Sequence, residues 1–209
     1  MKRAFTLILA TLMMLGCFCG GAFAEEEDNF GLGDAENNTY WNETMSIGCT
    51  LDENWYFYTR EEMLELNGMT AEMLDDTLAE VMREAGAMMD MYAMNQLTGA
   101  SVNVNLERLS IANSLLISET SYIKLSEEGL ITALEQMGCE NVQVESGTME
   151  FLGKEHACAR VSTVISGLQL YETIVVVKTG RTMIVVTSAS YLEDTTEEVL
   201  SCFFDKPEA

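Results

Sequence analysis

A histidine, a cysteine and an arginine stand at alternate positions in the segment EHACAR, as His156, Cys158 and Arg160. A cationic side chain beside a thiol lowers the pKa of the thiol and favours the nucleophilic thiolate. On a strand the three side chains share one face, but residues two apart are about 6.5–7 Å apart, beyond hydrogen-bond reach. We therefore predict a packed strand face with an inert thiol, and keep a Cys-dependent enzyme around Cys158 and His156 as the alternative.

The sequence lacks the motifs of the common hydrolases, nucleotide-binding proteins and metalloproteases. His156 is its only histidine, which excludes a metal site with several imidazole ligands. Carboxylates are abundant, but they do not follow the spacing of a calcium-binding loop. We predict no cofactor and no metal site, and hold a calcium-responsive acidic module as a further alternative.

Acidic residues dominate the charge of the chain. Its 209 residues include 34 Asp plus Glu and 11 Lys plus Arg, which gives a net charge of −23. Such a charge disfavours nucleic acid as a partner, and the 48% of hydrophobic residues can fill a folded core. We expect an unknown protein or a small polar ligand as the partner, and the membrane only if the chain is lipidated.

The first 24 residues have the pattern of a signal peptide. Lys2 and Arg3 precede an apolar stretch, and Ala22-Phe23-Ala24 matches a signal peptidase site. We predict cleavage after Ala24, which removes two cations and no acid, so the net charge falls from −23 to −25.

A second processing site is open as an alternative. Leu15-Gly16-Cys17 resembles the end of a bacterial lipobox, in which the cysteine is acylated and becomes the first residue. In either case the chain is exported and extracytoplasmic, and it is either secreted or anchored to the cell envelope by lipid at Cys17.

Four cysteines remain after residue 24: Cys49, Cys139, Cys158 and Cys202. An exported protein can form disulfides, and four thiols allow three pairings, but the wide spacings favour none of them. Cys49 alternates with apolar residues of its segment, so we predict that it is buried and unreactive.

The chain after the signal peptide alternates between strand and helix patterns. We predict a flexible acidic leader over 25–39 and one domain over 40–209. Its first half contains strands over 44–51 and 55–58, a short helix opened by the capping box Thr59-x-x-Glu62, and a longer helix over 70–86.

The second half is mostly strand. We predict strands over 87–95 and 101–107, a helix over 118–137, strands over 141–151, 155–165, 168–178 and 181–190, and a helix from Thr195 to near Phe204. The short turns between the last four strands make these strands antiparallel neighbours. The apolar run Met183–Val186 indicates a strand covered on both faces. The predicted fold is α+β, an antiparallel sheet with helices over both faces (an α/β/α sandwich), in the order ββααββαββββα.

The strand 101–107 carries polar side chains at every second position: Ser101, Asn103, Asn105 and Glu107. We predict that this polar strip is exposed near a sheet edge. We interpret it as either a solvated face or a recognition strip for a protein or a polar ligand.

The element order and a few early residues resemble the PsbP-like α/β sandwich family, which includes the Mog proteins and small exported bacterial proteins and lipoproteins. The matching residues are Tyr40, Asn42, Gly48 and Trp55, and the turn at 153–155, within a resemblance that spans about residues 40–204. The family has no shared catalytic motif. The resemblance implies a non-enzymatic binding or auxiliary protein, here at the bacterial cell surface.

Overall fold

The computed structural model describes residues 33–59, 62–63 and 87–206. The described elements follow the chain as β1 (Asp34–Glu36), β2 (Thr39–Asn42), β3 (Ile47–Thr50), β4 (Trp55–Phe57), β5 (Ala87–Asn95), β6 (Ser101–Arg108), α1 (Ile111–Leu116), α2 (Glu119–Gln136), β7 (Cys139–Phe151), β8 (Lys154–Ile165), β9 (Leu168–Thr179), β10 (Thr182–Tyr191), α3 (Thr196–Leu200) and β11 (Phe203–Phe204). No helix of this described part is long and apolar enough to cross a membrane.

The strands form two antiparallel sheets. The large sheet has seven strands in the order β4-β5-β6-β10-β9-β8-β7, and the small sheet has four in the order β1-β2-β3-β11. Strands β7 to β10 are consecutive neighbours, as the short turns predict. Gly153 and Gly180 occupy two of these turns with φ of 71° and 59°, a conformation that glycine adopts without a steric cost.

Helix α2 covers one face of the large sheet. The hydroxyl of Ser118 accepts a hydrogen bond from the backbone N–H of Ser121 and caps the helix. Tyr122, Leu130 and Leu134 of α2 are buried in one core cluster with side chains of β8, β9 and β10. The burial of this apolar face holds α2 on the sheet.

The predicted sandwich, with helices on both faces of the sheet, is wrong for the face of the large sheet opposite α2. In the described residues the small sheet and the short helix α3 cover this face. Tyr40, Ile47 and Phe203 pack there against Val104 and Val186 of the large sheet. The cause is a pairing between distant segments, because β3 lies between β2 and the C-terminal strand β11. Local periodicity carries no signal for such a pairing.

Other predicted boundaries also change. Residues 34–36 and 39, placed in the leader, belong to β1 and β2. The last helix stops at Leu200, and Phe203–Phe204 forms β11 instead of its final turn. Helix α1 was not predicted. The helix predicted over 70–86 lies outside the described residues.

Most of the remaining predicted strands are confirmed within a few residues, including β5. The capping box is present, because Glu62 N–H donates to Thr59 Oγ1 and Thr59 N–H donates to the Glu62 carboxylate, at 3.3 and 2.8 Å.

A buried carboxylate on β5 links the two sheets. The pairing of β5 with β6 shifts between Met89 and Met91, which gives a β-bulge at Asp90. The Asp90 carboxylate accepts hydrogen bonds from Gly33 N–H at 2.9 Å, Tyr40 O–H at 2.5 Å and Asn42 Nδ2 at 2.7 Å. All three donors come from the β1–β2 region, so Asp90 fixes the small sheet onto the large one.

Candidate functional site

Of the three residues on the candidate reactive face, Cys158 and Arg160 lie within hydrogen-bond reach of each other, contrary to the spacing argument, because the long Arg160 side chain folds back along the strand. Cys158 is fully buried, and burial raises the pKa of its thiol. Arg160 Nη1 donates to Cys158 Sγ at 3.3 Å, while Nε and Nη2 of the same guanidinium donate to Glu197 Oε1 of α3 at 2.8 and 2.6 Å. The guanidinium of Arg160 therefore pairs mainly with the Glu197 carboxylate, and the Cys158 thiol stays protonated at neutral pH.

The imidazole of His156 lies against a carboxylate of α2. Its Nδ1 lies 3.1 Å from both carboxylate oxygens of Glu119, at the start of α2. Because a carboxylate only accepts hydrogen bonds, Nδ1 carries the proton. Glu119 also accepts from the backbone N–H of Lys178 at 2.8 Å and from that of Ala157 at 3.4 Å.

Glu119 fills the place where two strands part. The pairing of β8 with β9 ends at Ala157 and Val176, and the N–H groups of Ala157 and Lys178 lie at this end of the ladder. The Glu119 carboxylate takes over as their acceptor and ties α2 to both strands. Sequence reasoning missed this role, because the only local signal is an acid in the first turn after the cap Ser118.

The predicted surface strip of Ser101, Asn103, Asn105 and Glu107 lies in the core, and all four residues are buried. The prediction of an exposed strip was wrong, because β6 lies between β5 and β10 in the interior of the large sheet. Its polar side chains face the side that α2 covers, so they do not form a surface for a partner.

Glu107 and Asn105 of this strip have hydrogen-bond partners in the core, whereas Asn103 Nδ2 has none among the described residues. Tyr122 O–H of α2 donates to Glu107 Oε2 at 2.5 Å, and Asn105 Nδ2 donates to Asn103 Oδ1 at 2.7 Å. Burial raises the pKa of Glu107 to about 8, against the lowering effect of the Tyr122 hydrogen bond. Glu107 is therefore largely neutral at pH 7.

The four cysteines of the described residues are free thiols. Cys49 lies on the apolar side of β3 and is fully buried, which confirms its predicted burial. Burial raises the pKa values of all four thiols. None of them has the lowered pKa of an activated cysteine.

A groove of about 250 Å³ opens between the first turns of α2 and the edge strand β7. We call it the α2–β7 groove, and its walls are Thr120, Ile123, Lys124, Ser146, Gly147, Thr148 and Ala157. Ile123 and Ala157 are buried and form an apolar floor. Three hydroxyl side chains and one ammonium group line the rest.

The charges around the groove are unequal. Lys124 makes no ion pair or hydrogen bond within the part of the chain that the structure describes, so its ammonium is free to bind a ligand. Glu127 lies one turn further along α2, and its carboxylate accepts a 3.0 Å hydrogen bond from Ser146 of β7. The groove thus offers hydroxyl groups and one cation, with its carboxylate already engaged.

The described residues contain no group of three or more His, Cys, Asp or Glu side chains that could hold a metal ion. The sequence signal for the groove is weak, because Thr120, Ser146 and Thr148 come from two elements and follow no motif. Only the packing of α2 on β7 brings them together.

No protein-family model matches the chain, and no curated protein matches its sequence. The fold is similar to the crystal structure of LpqN, a protein involved in cell envelope biogenesis of Mycobacterium tuberculosis. The two chains share 8% identity with a TM-score of 0.43, over 76% of this chain and 82% of LpqN. A likeness of this degree carries no argument about function. The resemblance to the PsbP-like family stays a prediction.

Proposed function

We propose that this chain is an exported, non-enzymatic binding protein of the bacterial cell surface, which takes a small hydroxylated ligand in the α2–β7 groove. The observation that carries the proposal is the composition of the groove wall. Three hydroxyl groups and the ammonium of Lys124, which has no partner among the described residues, surround an apolar floor in a space of about 250 Å³.

The groove selects the ligand by size and charge. Its volume lies just below the range of about 300–1,000 Å³ that drug-sized ligands occupy, which suits a molecule of monosaccharide size. The hydroxyls of Thr120 and Thr148 can donate and accept, and the hydroxyl of Ser146, which donates to Glu127, can accept, which fits the hydroxyls of a sugar. Lys124 favours a ligand that also carries a carboxylate.

The surroundings of Cys158, the nucleophile of the alternative hypothesis, support a non-enzymatic role. A cysteine nucleophile needs a base within hydrogen-bond reach and a lowered pKa. Cys158 has a raised pKa, and His156 is held by Glu119. These contacts leave Cys158 without an activating base.

A matched pair of sugars tests the ligand class. The probes are galacturonate and galactose, which differ in the carboxylate, and amide shifts in NMR spectra report binding. We expect galacturonate to shift amides of residues 120–124 and 146–148, and galactose to bind at least about 5-fold more weakly because it lacks the ion pair. Equal binding of both sugars, or shifts confined to other residues, would contradict the proposed ligand class.

Two lysine variants provide the control. Lys124→Gln removes the ammonium at the groove, whereas Lys154→Gln removes an exposed lysine at the start of β8. The proposal requires Lys124→Gln to weaken galacturonate binding and Lys154→Gln to leave it unchanged. A similar loss in both variants would indicate an unspecific charge effect.

The export half of the proposal has its own test, which is the intact mass of the protein recovered from its native cells. A chain that begins at Glu25 supports secretion, and a diacylglyceryl mass on a chain that begins at Cys17 supports the lipid-anchored form. A retained Met1 contradicts both forms of export.

A further inference from the structure

Helix α1 exposes large apolar side chains at one end of the molecule. Ile111, Leu115 and Leu116 are 66%, 81% and 80% exposed, and no residue of this helix is buried. Hydrophobic residues scattered singly over a surface need no explanation, but three within one helix form a patch. Such patches mark interaction sites on soluble proteins.

Basic residues surround this patch in an otherwise acidic protein. Residues 109–118 carry no charge, and Arg108 precedes them at the end of β6. Lys178 Nζ donates to the carbonyl oxygens of Ser114 and Ile117 at 2.5 and 2.7 Å. Arg181 Nε donates to the carbonyl oxygen of Leu109 at 3.3 Å.

These contacts leave the positive charges in place, because backbone carbonyls are neutral acceptors. The nearby acid, Glu119, already accepts two backbone N–H groups and His156. Lys178 and Arg181 therefore form what we call the basic collar of α1. The patch thus combines apolar contact area with local positive charge.

We propose that α1 docks a second protein whose surface offers an apolar pocket rimmed by carboxylates. The carboxylates of the rim would pair with the basic collar, and the apolar pocket would bind the three apolar side chains of α1. This interface shares no residue with the α2–β7 groove, so an experiment on one does not decide the other.

Two other occupants fit the observations less well. An anionic membrane extends far beyond the collar, and it would repel a chain with a net charge near −25. A second copy that presents the same face would bring two basic collars together, which costs free energy through repulsion of like charges. A protein with a local acidic rim meets neither obstacle.

A photoreactive amino acid at position 115 identifies the occupant in the cells that make the protein. The control carries the same group at Leu97, which is 77% exposed in the β5–β6 turn at the other end of β6. We expect position 115, and not position 97, to crosslink to one protein, which mass spectrometry of the linked peptide identifies. A lipid adduct or a copy of this chain at position 115 would overturn the proposal.

The identified protein is then purified and its affinity measured with variants of the full chain. Leu115→Ser with Leu116→Ser should weaken binding at least about 10-fold, and Arg181→Gln should weaken it and reduce its salt dependence. Leu97→Ser should leave the affinity unchanged. Unchanged affinity in the α1 double variant would remove α1 as the docking site.

Thermal unfolding of the same variants shows whether a loss of binding comes from a loss of stability. Since the apolar side chains are exposed, the double variant should unfold within about 2 °C of the natural chain. A fall of several degrees would mean that this chain itself covers α1, and that would also overturn the proposal.

Discussion

The phenol hydroxyl of Tyr40, in the small sheet, donates a 2.5 Å hydrogen bond to the carboxylate of Asp90 in the large sheet. Burial and the neighbouring Asp90 charge raise the pKa of Tyr40 well above its usual range, so the phenol keeps its proton. A carboxylate with three donors around it is a strong acceptor, since charge-assisted hydrogen bonds are about twice as strong as neutral ones.

Removal of this link should loosen the small sheet. Tyr40→Phe should cost about 2 kcal/mol of unfolding free energy, because it deletes one hydrogen bond to a charged group. Asp90→Ala should cost about 4 kcal/mol, because it leaves three buried donors without an acceptor. Urea denaturation measures both values. Asp205→Ala, at an exposed position, is the control and should change stability by less than about 0.5 kcal/mol.

Two glycines on strands should respond differently to the same substitution. A Cβ at Gly48 would lie 2.4 Å from the Phe204 ring and 2.8 Å from the Trp41 ring, which stack on each other with centroids 5.8 Å apart. Gly48→Ala should therefore destabilise the protein by about 2 kcal/mol or more through overpacking. A Cβ at Gly147 would have no heavy atom within 3.9 Å, so Gly147→Ala should be neutral or slightly stabilising. Equal effects would contradict the stacking of Trp41 and Phe204 over Gly48.

Stability should fall as the pH rises from acid toward neutral. Burial raises the pKa of Glu172 from 4.5 to about 7, and that of Glu107 from 4.5 to about 8. Below pH 4.5 both carboxyls are neutral in the folded and unfolded states. Above pH 4.5 both carboxyls ionise in the unfolded state but stay neutral in the folded state, so the unfolding free energy falls. The contribution of Glu172 to this fall ends near pH 7 and that of Glu107 near pH 8, where the folded carboxyls ionise as well.

The Glu172 share of this loss can be isolated. Its pKa shift corresponds to about 3 kcal/mol between pH 4.5 and 7.5. Glu172→Gln should flatten the pH profile of the unfolding free energy by about that amount, while Glu198→Gln, at an exposed position, should leave the profile unchanged. A Glu172→Gln profile as steep as that of the natural chain would show that Glu172 ionises freely in the folded state.

The thiols should react in the order of their exposure. Cys202 is half-buried, whereas Cys49, Cys139 and Cys158 are buried, so iodoacetamide should modify Cys202 first at neutral pH. Peptide mass spectrometry after short labelling measures the order. Faster labelling of Cys158 would instead support the Cys-dependent enzyme.

The sequence was informative where the chain is paired locally. Strands β7 to β10 follow one another through short turns, so period and turn length are enough to place them. Ser118 likewise marks the start of α2. The small sheet could not be predicted in this way, because its strand β3 pairs with β11, about 155 residues later.

The candidate site was harder to predict than the fold. Asn103 and Glu107 read as a solvated strip because polar residues usually face water. They are buried because strand order places β6 in the interior of the large sheet, and strand order is not encoded in local alternation. Glu119 and Lys124 likewise gain their roles only from the docking of α2.

The strand order also affects when the chain can fold. Strand β6 receives one neighbour, β10, only after residues 182–191 are available, and β3 receives β11 from residues 203–204. Neither sheet can be completed on the N-terminal half alone, since such non-local pairings form late. For a chain that is threaded unfolded through a translocation channel, this delay is useful. If the chain is exported as proposed, the strands that emerge first could not complete either sheet until almost the whole polypeptide had crossed, and the last few residues would then allow folding on the far side.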